Sequence, residues 1–131
     1  MIQERQGSSY RVATEDGVQF GRFNLWGKGN EVELWSVFID EDKRGRGLGK
    51  VLMRDVDQAV SEDFPQASCI SLCVATENKV AQRLYAHAGY RKVGYGIRNR
   101  LRHFVKGIRR LPGLLWESGR PLIMEKEVPA S

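Results

Sequence analysis

The sequence is poor in metal-binding and cross-linking residues, with only two cysteines and two histidines among 131 positions. Cys69 and Cys73 lie in the apolar run 69–75, which reads as a strand. At roughly 3.3 Å per residue they stand about 13 Å apart, beyond the roughly 7 Å that a disulfide tolerates, so two packing thiols are expected. His87 and His103 are scattered and add no zinc-type spacing, and no structural metal is predicted. No apolar run approaches the roughly 18 residues of a spanning helix, and Met1-Ile2-Gln3-Glu4-Arg5 lacks the apolar stretch of a signal peptide. A cytoplasmic protein without a transmembrane segment is the expectation. Acidic residues are missing from one stretch: residues 91–116 hold eight Lys/Arg and no Asp or Glu, whereas the remaining 13 basic and 16 acidic residues carry −3. The net charge of +5 therefore belongs to one segment and not to the whole chain.

What is present is enough apolar material, 41% of residues, for one modest core, and a single domain over 1–131 is expected. The first forty residues read as three strands. Ser9 to Ala13 stops at the hairpin signal Asp16-Gly17, Val18 to Trp26 runs to a turn at Gly27-Lys28-Gly29-Asn30, and Glu31 to Ile39 is the longest and most apolar. Past the glycine-rich run Arg44-Gly45-Arg46-Gly47-Leu48-Gly49 the period changes to about 3.6. Leu48, Val51, Leu52, Val56, Ala59 and Val60 share one helical face, and Phe64-Pro65 ends the helix. A strand at 69–75 follows, nearly continuous in apolar residues. Thr76-Glu77-Asn78 then offers capping chemistry for a second helix with apolar positions Val80, Ala81, Leu84, Tyr85 and Ala88, closed by Gly89. Strands at 90–93 and 121–128 complete a mixed α/β sheet with helices covering it.

An apolar strand, a charged turn, glycines at 45, 47 and 49 and an amphipathic helix describe an anion site. The first turn of a helix has unpaired N–H groups and the positive end of the macrodipole, and glycine lets a phosphate approach the backbone. The spacing differs from the dinucleotide fingerprint, and the Lys-Ser/Thr of a P-loop is missing. The pattern Arg44-x-x-Gly47-x-Gly49 resembles the acetyl-CoA signature of the GNAT superfamily of N-acetyltransferases, and Asn78-x-x-Ala81-x-x-Leu84-Tyr85-x-x-x-Gly89-Tyr90 is similar to that family's later motif.

The resemblance implies a GNAT-like α/β fold: a mixed, mostly antiparallel sheet flanked by helices. Here it lacks the usual N-terminal strand and two helices, because only about thirty residues precede Glu31. It implies acetyl-CoA as co-substrate. Val37, Phe38 and Ile39 would offer main-chain groups to its acetyl and pantetheine end, Arg44, Gly45, Arg46, Gly47, Leu48, Gly49 and Lys50 would hold its pyrophosphate, and Asn78 would touch the pantetheine arm. Tyr85 would lie near the sulfur as general acid. Glu33 matches in position the catalytic glutamate of histone-acetyltransferase-like members, and Glu31, on the same face, could act through water; a solvated strand edge is the competing reading of both. Where some N-terminal acetyltransferases carry a glutamate on the later strand, this chain has Cys73.

In the basic segment, Ile97, Leu101, Phe104, Val105, Ile108 and Leu111 form one helical stripe, and Arg98, Arg102, Lys106, Arg109 and Arg110 gather on another. A basic helical insertion at about 96–117 is expected to recognise the acceptor in place of the missing helices. The leading function is acetyl transfer to an amine of a protein or other macromolecule of acidic character, and a homodimer is compatible with the sequence. Two alternatives stand beside it: a non-catalytic protein of this fold that binds nucleic acid or an acidic protein, and a toxin-like enzyme acetylating aminoacyl-tRNA.

Overall fold

The structure, a computed structural model, describes residues 1–95 and 121–129. Seven strands, mostly antiparallel, and two α-helices give a mixed α/β fold. Packing divides the chain into two compact units, Met1–Ile70 with Glu127–Ser131, and Ser71–Lys126.

The first unit is a meander of β1 (Ile2–Gln6), β2 (Ser9–Ala13), β3 (Gln19–Lys28) and β4 (Glu31–Ile39), neighbours in that order, followed by a short 3-10 turn at Glu41–Lys43 and by α1 (Leu48–Asp63). Four strands therefore stand where the sequence pattern suggests three. β1 was not legible because its side chains Gln3 to Gln6 are exposed and do not alternate with apolar ones. It turns straight into β2 through Gly7 and Ser8, Gly7 having φ +60°, so no helix stands between them. The apolar face of α1 places Leu52, Met53, Val56, Ala59 and Val60 in the core with Tyr10, Val12, Phe23, Leu25, Val32 and Leu34 of β2 to β4. Each of the Val, Leu, Met and Phe side chains among them contributes about 1.5–3 kcal/mol on burial. A Cβ at Gly21 would lie 3.0 Å from Leu52 Cδ1 and 2.6 Å from the Phe38 carbonyl oxygen, so this side of β3 faces α1 at close range. Tyr10 stacks on Phe23 with centroids 5.0 Å apart, and its hydroxyl donates to Asp63 Oδ2 at 2.7 Å, tying β2 to the end of α1. The helix stops at Phe64, as the residue before a proline disfavours helical geometry.

The second unit carries α2 (Lys79–His87) and β6 (Arg91–Tyr95), with most of β5 (Cys69–Val74) and of β7 (Leu122–Glu127). β7 lies between β5 and β6, and β6 pairs antiparallel with it from Arg91↔Glu125 to Tyr95↔Leu122. Asn78 caps α2, its Oδ1 accepting from the Ala81 N–H at 3.1 Å. At the other end Gly89 takes the left-handed φ of +99° that closes such a helix. The buried face of α2 differs from the apolar pattern. Val80 is 72% exposed, whereas Gln82 is buried beside Tyr85.

Candidate active site

The glycine-rich segment owes its glycines to backbone geometry. Gly45 and Gly47 have φ of +78° and +75°, the left-handed region, while a Cβ at either would meet nothing within 4 Å. Other residues pay about 1–2 kcal/mol to sit there. Gly47 is the N-cap of α1, so no side chain caps the helix, and its first turn holds no acidic residue. The first N–H groups of a 16-residue helix and the positive end of its dipole are thus presented to an incoming anion, with Arg44, Arg46 and Lys50 exposed around them. Such a helix start is the kind of place that can accept an anion such as a diphosphate. Leu48 and Gly49, half-buried, begin the helix.

The strand that leads into the segment is irregular. Between Arg22↔Phe38 and Asn24↔Trp35 the β3–β4 register slips by one residue, and within that slip Ser36 has φ +51°. A bulge leaves an extra residue outside the ladder and re-aims the residues after it; here these are Val37, Phe38 and Ile39. The Ile39 carbonyl is already engaged, accepting from Arg44 Nε at 2.9 Å. Phe38, 38% exposed, has the Arg22 guanidinium 5.0 Å and the Arg44 guanidinium 5.2 Å from its ring centroid.

Glu33 is only 4% exposed, and its Oε2 accepts from Trp35 Nε1 at 3.1 Å; Glu31 is half-buried. Neither is the solvated strand edge that the pattern allows. On α2, Tyr85 is 8% exposed, and burial pushes its phenol up to about 12. Its ring meets Tyr90 at 6.0 Å, tilted by 60°. The Gln82 side-chain amide donates to the carbonyls of Ala75 at 3.0 Å and Thr76 at 2.9 Å.

Glu31, Glu33, Val37 to Ile39 and Arg44 to Lys50 are consecutive features of β4 and the turn into α1 in the first unit, and Asn78 and Tyr85 share α2 in the second. Arg98, Arg102, Lys106, Arg109 and Arg110, and the helix expected to carry them, lie outside the described residues. Arg22, Trp35 and Gln82 were not singled out in the sequence. Only cross-strand register brings Arg22 to Phe38, and only the fold buries an amide at position 82. A cavity of about 280 Å³ in the first unit, lined by Ser61, Phe64, Pro65, Gln66 and Val128 among others, contains none of these residues. Among the described residues no group of three or more His, Cys, Asp or Glu could hold a metal ion, and no helix is long and apolar enough to cross a membrane.

Comparison with known proteins agrees in family and fold. The family model described as Acetyltransferase (GNAT) family matches residues 2–90. The N-alpha-acetyltransferase RimI of Mycobacterium tuberculosis (strain ATCC 25618 / H37Rv) is 33% identical over 64 residues, which are 49% of this chain and 37% of that protein. The match thus spans little more than a third of the relative's length. The ribosomal-protein-S18-alanine N-acetyltransferase from Escherichia coli superposes with a TM-score of 0.68 at 15% identity, over 98% of this chain and 74% of its own. A Bacillus subtilis acetyltransferase in complex with CoA gives 0.69 at 18% identity, over 92% and 76%. At such identities the structural likeness is one of fold.

Proposed function

Because the chain belongs to the acetyltransferase (GNAT) family, we propose that it transfers the acetyl group of acetyl-CoA to an amine on a protein or other macromolecular acceptor. The observation that carries this reading is the uncapped N-terminus of α1 behind two left-handed glycines, where a pyrophosphate would meet N–H groups, a helix dipole and three exposed cations. A protein acceptor is favoured by the similarity to a protein described as an N-alpha-acetyltransferase.

In this reading the neutral amine nitrogen attacks the thioester carbon, the C–S bond breaks, one proton passes from the nitrogen to a base, and the thiolate departs stabilised by a hydrogen bond and takes its proton from solvent. Glu33 takes the amine proton, directly or through water with Glu31 beside it. Main-chain N–H groups following the bulge at Ser36 meet the charge that develops on the carbonyl oxygen. The family resemblance assigns Tyr85 to the sulfur. A phenol at about 12 stays protonated at every working pH. Against a thiol of about 8.5 its full transfer is uphill by roughly 5 kcal/mol, so Tyr85 acts chiefly by donating a hydrogen bond to the leaving thiolate. Asn78 lies along the pantetheine arm, its side-chain N–H₂ group left to face outward once Oδ1 has accepted from Ala81. The segment with Arg98, Arg102, Lys106, Arg109 and Arg110 contributes acceptor recognition through its charge.

The test is acetyl-CoA calorimetry together with thiol release against peptides, polyamines, aminoglycosides and charged tRNA. Gly47→Val, in a protein whose melting shows it folded, should lower acetyl-CoA affinity at least tenfold, because a β-branched residue cannot hold φ +75°. Unchanged affinity in that folded variant would remove the loop from the cofactor site. Acetyl-CoA binding with no thiol release on any acceptor would make the chain a non-catalytic member of the fold.

A further inference from the structure

The register of the first unit assembles a face that no family motif describes. Trp26, Asn24 and Arg22 of β3 stand opposite Glu33, Trp35 and Phe38 of β4, and Ser9 and Arg11 of β2 stand opposite Asn24 and Arg22. Directly paired residues share a face, and Gly21, next to Arg22, looks at Leu52 of α1. The set therefore lies on the side of the sheet away from α1. Glu33, the proposed base, is at one end of it, only 4% exposed and accepting from the Trp35 indole. Arg22, Phe38 and Arg11 are at the other, four β3 residues or about 13 Å away. Trp26, 53% exposed, is paired with Glu33, and half-buried Trp35 comes next toward the arginines.

We propose that this face seats an acidic peptide, with the acceptor amine at Glu33 and a carboxylate about four extended residues along the peptide held by Arg22. The proposal deepens the reading of Glu33 as base by naming the class of acceptor. Its evidence is the charge at the far end. Two guanidiniums, those of Arg22 and Arg44, converge on the exposed Phe38 ring at 5.0 and 5.2 Å. Arg11 stands directly across from Arg22. Among the described residues none of the three is in an ion pair. Like charges placed opposite one another weaken a sheet, and an arriving carboxylate relieves that repulsion while accepting paired N–H bonds from a planar, ring-stacked guanidinium. The arrangement has polarity: a cationic amine suits the Glu33 end and an anion the Arg22 end. A polycation such as spermidine meets repulsion at the arginines. A continuous polyanion meets Glu33 at one end and Glu4, paired with Arg11, at the other. A short peptide, neutral or apolar against the tryptophans and acidic some four residues in, matches the whole face. Arg22 is thus a specificity-determining residue.

The experiment measures binding of peptides with a free amino terminus and a C-terminal fluorophore to the full chain by anisotropy, with Asp/Glu, Asn/Gln or Lys at the fourth and fifth positions. The acidic peptide should bind at least tenfold tighter than its amide counterpart, and the preference should shrink as salt screens it. Arg22→Glu should abolish or invert the preference, and Arg22→Lys should keep part of it. Arg22 is exposed, so melting should hardly move; should Arg22→Glu fold poorly, Arg22→Gln must still lose the preference. A wild-type ratio of acidic to neutral binding in Arg22→Glu or Arg22→Gln overturns the proposal. So does a single-stranded oligonucleotide, rather than the acidic peptide, losing its binding in those variants. Thiol release is scored separately. Its absence with every acceptor tells against the enzymatic reading and leaves the peptide comparison to decide this one.

Discussion

Tyr85 ties stability to the proposed chemistry in a single side chain. Its phenol is raised from an ordinary 10 to about 12 by burial, so the folded state holds the proton more tightly than the unfolded chain does. The stability this represents is fully present below pH 10 and is lost as pH rises through about 12; it amounts to roughly 3 kcal/mol in all, with about 1 kcal/mol gone by pH 11. Tyr10, raised by burial and by its bond to Asp63, adds loss in the same direction. Denaturant unfolding at pH 8 and pH 11 should therefore show Tyr85→Phe losing about 1 kcal/mol less than wild type across that interval. Equal losses would mean that this phenol is not sheltered. If Tyr85 also serves the leaving thiolate, Tyr85→Phe should reduce turnover by roughly 10²–10³ at neutral pH, the loss that follows removal of one donor to developing charge, with little change in acetyl-CoA affinity. Undiminished turnover would leave it a packing residue only.

At the scale of elements, α2 is nine residues long. A helix of that length has little stability in isolation, and its placement depends on its ends. Asn78 satisfies one N-terminal donor, and Gln82, buried, reaches back with a single amide to two successive carbonyls, Ala75 and Thr76, where the chain leaves β5. That clamp holds the strand exit and the first turn of the helix together one turn before Tyr85. Replacing it with the similarly sized Gln82→Leu removes both donors from partly buried carbonyls at about 1–3 kcal/mol each. A destabilisation of about 2–6 kcal/mol is expected from denaturant unfolding, and a change below about 0.5 kcal/mol would show that water replaces the amide at no cost. The bulge at Ser36 is the corresponding device on β4. It interrupts the ladder at the strand that carries Glu33 and leads into the glycine loop.

The whole chain presents a question of charge, since its cation-rich segment, rather than the rest of the sequence, makes it basic. The strands that flank this segment answer how separable it is. Tyr95 at the end of β6 and Leu122 at the start of β7 are Cα partners in an antiparallel ladder, which puts them about 5 Å apart. A four-residue turn can bridge that gap. Replacing 96–120 with such a turn should leave the melting temperature within a few degrees and acetyl-CoA affinity unchanged, while capture of an acidic acceptor weakens and loses most of its salt dependence. Full acceptor processing by the shortened chain would remove the segment from recognition and leave the β2–β4 face alone in that role.

Both α-helices, the strand β4 and the glycine turn were legible in the sequence, because each is encoded by neighbours along the chain, although β3 and not β4 is the longest strand. α1 follows a 3.6-residue apolar period that stops at Phe64-Pro65, Asn78 caps α2 three residues before Ala81, and β4 occupies the full apolar run Glu31–Ile39. The family resemblance rested on these same local patterns. Other features were settled by the tertiary structure. β1 is a polar segment that becomes a strand only by pairing with β2. Glu33 is buried together with its neighbours Val32 and Leu34, so both faces of β4 are hidden there, which the alternation of a strand does not foretell. Gln82, polar in a helix read by its apolar stripe, is inside because two carbonyls six and seven residues back require a donor. Arg22 reaches Phe38 only through a register that a bulge shifts by one residue. Periodicity and capping depend on residues a few positions apart, whereas burial of a charge or convergence of cations depends on which strands pair and in which register. That pairing is decided by the packing of the whole sheet.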